Sequence, residues 1–130
     1  MPDPHFVGIL KMEANPADPN TLIVASRSFA FYDEEGLEWE ANRGATTDGA
    51  SIPTILKPFV GHSFETPYVP GATLHDIYCQ IKTRTWKRTA RMFRSALICN
   101  GVSRPRAVLF WSAVYFWGPR WPDPVAPPIG

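Results

Sequence analysis

Gly71-Ala72-Thr73-Leu74-His75-Asp76-Ile77-Tyr78-Cys79-Gln80-Ile81 is the stretch at which the chain changes period. Before it lie Phe6–Leu10, Thr21–Ala25, Ser28–Asp33 and Leu37–Ala41, short runs rich in aromatic or β-branched residues and separated by Pro, Asp, Asn and Gly. They read as a small antiparallel sheet. Asn15-Pro16-Ala17-Asp18-Pro19-Asn20 is a turn cluster, and Asp33-Glu34-Glu35-Gly36 suits a hairpin end whose glycine takes positive φ. From Ala72 the pattern is helical. Thr73 and Asp76 have the spacing of a capping box, which predicts a helix through about Ile81 with His75 and Asp76 in its first turn. A second helix is predicted from about Trp86 to Cys99, where Ala90, Phe93 and Leu97 recur at spacings of three and four, with a stop at Asn100-Gly101. Ser103 with Pro105 begins a third, ending near Trp117-Gly118-Pro119. The expected fold is α+β: a small antiparallel sheet followed by about three helices, in a single domain over residues 1–118 with a proline-rich tail over 119–130.

With 130 residues, 45% of them hydrophobic, the chain suffices for one core and is short for two. Fourteen prolines and nine glycines, many between apolar runs, indicate short elements joined by ordered turns. Met1-Pro2-Asp3-Pro4-His5 lacks the basic start and apolar stretch of a signal peptide, and no apolar run approaches the roughly 20 residues that span a bilayer. The expected location is therefore the cytoplasm of the cell in which the chain is made. Cys79 and Cys99 are the only cysteines and have no Cys-x-x-Cys spacing, so they read as reduced thiols and not as a disulfide framework or a zinc site.

The net charge of +1 conceals a split. Residues 1–76 hold 4 Lys and Arg against 11 Asp and Glu, whereas residues 77–130 hold 9 against 1. The two halves can neutralise each other across the fold, or the basic half can meet an anionic partner.

Candidate chemistry gathers at two places. Asp48-Gly49 makes a tight turn that can present the Asp48 carboxylate and the Ser51 hydroxyl from a fixed backbone. In a helix first turn, free N–H groups and the dipole favour the Asp76 carboxylate and a neutral His75, a sensible place for a general base or a metal ligand. Asp48, His75 and Asp76 form a mixed oxygen and nitrogen set for a divalent metal, with His62 or Glu65 as additions. The same residues also suit a closed structural cluster, with Asp76 completing the capping box and His75 hydrogen-bonded to the Asp48 loop. The cofactor, if any, stays open between these readings.

Thr47-Asp48-Gly49-Ala50-Ser51-Ile52-Pro53, then Leu74-His75-Asp76, then a helix ending Ala96-Leu97 before Gly101-Val102 and a last Trp-rich helix, resembles the phage and prophage family known as domain of unknown function 1353 (DUF1353). The resemblance covers roughly residues 40–118. It implies a small phage-encoded α+β protein with a suspected hydrolase activity: His75 as general base, Asp48 or Asp76 orienting it or binding a cation, and Ser51 adding a polar contact. It also implies an acidic residue one position before the basic residue that here is Arg91. This chain has Ala90, which argues against a complete hydrolytic site.

Lys82, Arg84, Lys87, Arg88, Arg91 and Arg94 crowd one helix end and the next helix face, with Trp86 among them. Such a run is a solvated face or, as the weaker reading, a nucleic-acid surface. Ala107–Trp117 is apolar nearly all round, so something must cover it: the sheet foremost, then a subunit or virion partner, then a membrane surface. The alternative function is thus a non-enzymatic virion (tail, neck or baseplate) or host-interaction protein, using this helix and the tail for a protein partner or for self-association.

Overall fold

The computed structural model describes residues 3–18, 21–47 and 67–124. It is α+β, and among these residues six short strands precede three helices. The strands form two antiparallel sheets of three, not one. In the first, β4 (Phe29–Tyr32) lies between β1 (His5–Gly8) and β5 (Glu38–Glu40); in the second, β3 (Leu22–Val24) lies between β2 (Met12–Ala14) and β6 (Thr46–Thr47). The register sets Phe6 opposite Phe31 and Phe31 opposite Trp39, a row of rings across the first sheet. Phe6 packs 4.9 Å from Phe31 between ring centroids, a cross-strand pairing that fixes which face turns inward.

The β4–β5 hairpin closes through Asp33. Its Oδ1 accepts from the Glu35 and Leu37 backbone N–H groups, and its Oδ2 accepts from Trp39 Nε1 at 2.9 Å. Gly36 takes φ 77°, as the turn requires.

The helices are α1 (Val69–Ile81), α2 (Trp86–Cys99) and α3 (Arg104–Trp117). α2 and α3 have the predicted bounds. α2 starts at Thr85, whose hydroxyl accepts from Arg88 N–H, and Gly101 follows its end with φ 97°. α1 departs from expectation. It begins two residues before Gly71, with Pro70 in its first turn and no side-chain cap at Tyr68. Thr73 is interior and buried, so no capping box forms, and His75 and Asp76 lie in the middle of the helix instead of its first turn. The dipole argument for these two residues fails with it, because the effect fades beyond the first turn.

α2 is the central helix. Ala90, Phe93 and Leu97 join Tyr68, Ala107, Phe110 and Val114 in one apolar cluster, while Met92 and Ala96 join Leu74, Ile77, Tyr78 and the sheet residues Phe29, Phe31 and Trp39 in the other. Spacings of three and four thus serve two opposed faces of one helix. Gly71 permits the close crossing of α1 over α2: a Cβ there would stand 3.3 Å from Ala96 Cβ.

α3 is covered on one side only. Ala107, Phe110, Ala113 and Val114 are buried, but Leu109 is 53% exposed, Phe116 56% and Trp117 77%. Trp121, beyond the helix, is buried and donates Nε1 to the Arg84 carbonyl at 2.7 Å. Among the described residues no helix is long and apolar enough to cross a membrane.

Candidate functional site

His75 and Asp76 face the interior, each 3% exposed. The His75 ring packs against Phe93 of α2 at 5.2 Å between centroids, tilted by 40°. Cys79, one turn on, sets its Sγ 3.7 Å from Nδ1 and 3.8 Å from Nε2. A phenyl ring and a thiol are poor replacements for water around a cation. Burial accordingly holds His75 well below the usual imidazole range, at about 4, so the ring is neutral at physiological pH.

Asp76 Oδ2 accepts a hydrogen bond from Gln80 Nε2 at 3.2 Å. The same amide nitrogen donates to the Thr46 carbonyl at 2.8 Å. Gln80 therefore ties the middle of α1 to β6, the strand that leads into Thr47-Asp48. Sequence reasoning gave Gln80 no role and read Cys79 only as a reduced thiol, although both lie one helical turn after the residues it singled out, the spacing at which helix side chains meet.

Asp48 and Ser51 lie outside the described residues, as do His62 and Glu65. Among the described residues no group of three or more His, Cys, Asp and Glu side chains is placed to hold a metal ion. Ala90 is buried in the apolar cluster with Tyr68, Phe93 and Leu97, so that position on α2 contributes a methyl group to packing and no charge to His75. A neutral imidazole at about 4 is a weak proton acceptor near neutrality, since general-base efficiency falls as the pKa drops away from the working pH. Cys99 is no better as a nucleophile, because partial burial pushes its thiol up.

The basic run is largely occupied within the fold. Arg88 and Arg91 both reach Glu35, at 3.4 and 3.5 Å. Arg84 lies 4.5 Å over the Trp39 ring, Arg94 5.0 Å over Trp111 and Arg120 4.3 Å over Trp86.

Residues 24–114 match the family model described as protein of unknown function (DUF1353). An uncharacterized protein, y4iH, of Sinorhizobium fredii (strain NBRC 101917 / NGR234) is 40% identical over 116 residues, which cover 89% of this chain and 48% of that one. A second from the same strain, y4jT, is 38% identical over 105 residues, covering 81% of this chain and 31% of its own length. This chain thus spans half or less of these curated relatives. No solved structure matches. The family model covers both sheets' later strands, the His75-Asp76 helix and most of α3, and on that match the chain belongs to the DUF1353 family.

Proposed function

We propose that this chain is a non-enzymatic contact protein of phage origin, working in a virion or against a host target, whose outward α3 face meets a protein partner. The observation that carries the reading is the exposed row Leu109, Phe116 and Trp117 on a helix whose other side is fully packed. In this reading His75 and Asp76 are internal struts. The neutral, enclosed imidazole and the Gln80 bridge to Thr46 support that role. A photoreactive benzoylphenylalanine introduced at position 117 in producing cells tests it, with the same residue at position 43 as control. A discrete cross-linked adduct from position 117 alone is the expected result; no adduct, or the same smear from both positions, counts against it.

A second reading keeps a hydrolase with His75 as general base and Asp48, Asp76 and Ser51 in support. It is favoured by the Gln80 bond, which brings α1 to the strand entering the Asp48 segment. The two readings separate on His75→Ala. Loss of a hydrolytic or metal-dependent turnover with unchanged unfolding favours the enzyme, and loss of stability without any turnover to lose favours the contact protein.

A further inference from the structure

A concavity that His75 does not line has a volume of about 570 Å³, in the range of small-molecule sites. It is bounded by the second half of α2 and the first half of α3, together with Glu34 and Pro4. Ile98 and Val108 supply apolar lining, and two arginines, Arg94 and Arg104, also border the cavity. Among the described residues the ion pairs are Arg88 and Arg91 with Glu35, so neither cleft arginine is neutralised by a carboxylate. Arg94 is held by its stacking on Trp111, which restricts the fork before any ligand arrives. Glu34 is the one carboxylate in the lining; its Oε2 accepts from the Ser95 hydroxyl at 2.7 Å, and it makes no ion pair with either arginine. The cleft thus has two cationic donors, one separate acceptor and an apolar surface.

We propose that this cleft binds a small organic anion, a carboxylate or phosphate monoester that also bears a hydroxyl, with the anionic group on Arg94 and Arg104 and the hydroxyl directed to Glu34. Guanidinium forks suit planar carboxylate and phosphate oxygens, while a ligand hydroxyl gives Glu34 a donor to accept from.

Cys99 lines the same cleft and reports on it, since the other thiol, Cys79, is buried. The test measures N-ethylmaleimide modification of Cys99 by peptide mass spectrometry. Glycerol 3-phosphate and lactate are added separately, against sodium chloride of equal ionic strength. Slowing of Cys99 modification by at least one of them is expected, and the arm that acts identifies phosphate or carboxylate as the preferred group. Arg94→Gln and Arg104→Gln should each weaken the protection by about tenfold in ligand concentration. Glu34→Gln should weaken protection by glycerol 3-phosphate more than protection by inorganic phosphate, which has no alcohol group. Arg104 is exposed, so its variant reads the site even where Arg94→Gln disturbs the Trp111 packing. No protection from either ligand at millimolar concentration, or protection that persists in both arginine variants, overturns the proposal.

Discussion

At the scale of single residues, Asp33 and His75 are buried polar groups with opposite dependence on their surroundings. Asp33 satisfies two backbone N–H groups and the Trp39 indole, so Asp33→Ala strands three donors in and around the hairpin. Chemical denaturation should show a loss of about 2–4 kcal/mol. His75 is stable only as the neutral ring. Its folded pKa, about 4, lies below the 6.5 of the free side chain, so the unfolded chain takes up the proton first as pH falls. Stability is therefore complete above 6.5 and declines between 6.5 and about 4, by about 3 kcal/mol from this group. Denaturation curves across that window should be less steep in pH for His75→Gln than for the parent chain. An equal slope in both would show that His75 does not set it. The identity of these residues was legible in the sequence, but their environment was not: Leu74-His75-Asp76 looks the same whether it faces a cleft or Phe93.

Elements were legible where the local signal and the tertiary fold agree. α2 has a threonine cap, a two-sided apolar period and a glycine stop, and it has the bounds those features predict. α1 was misplaced at its start because Thr73 mimics a cap, whereas the helix is entered through Pro70. β2 and β6 are three and two residues long, and each exists through its pairing with β3, which no local propensity reports. That same partner choice divides the strands into two sheets. At Gly8 the β1–β4 pair depends on φ 84°, and a Cβ would fall 2.1 Å from the Ser28 carbonyl oxygen. Gly8→Ala should cost at least about 2 kcal/mol in unfolding free energy. The two sides of α3 predict opposite outcomes. Phe110→Ala, in the core, should lose about 3–5 kcal/mol. Leu109→Ser, on the outer row, should stay within about 0.5 kcal/mol and, on the proposed contact reading, should reduce the position-117 cross-link.

For the whole molecule, the charge split read from composition is resolved partly inside the fold: Glu35 of the acidic half pairs with Arg88 and Arg91 of the basic half. Arg84, Lys87, Arg94 and Arg120 lie over indole rings, Arg104 lines the α2–α3 cleft, and Arg106 donates to the Tyr68 hydroxyl. In the proposed account the His75–Asp76–Gln80 link is structural, and contact and binding fall to the outer α3 face and the cleft. The enclosed link decides between this account and a hydrolase, and the imidazole's own titration reads it most directly. Nitrogen-15 NMR of His75 across pH, on the intact chain, should show a neutral ring down to about 4. A midpoint near 6.5 or above in the folded protein would contradict the account, because it would put a solvated, proton-exchanging histidine where the structure has a packed one.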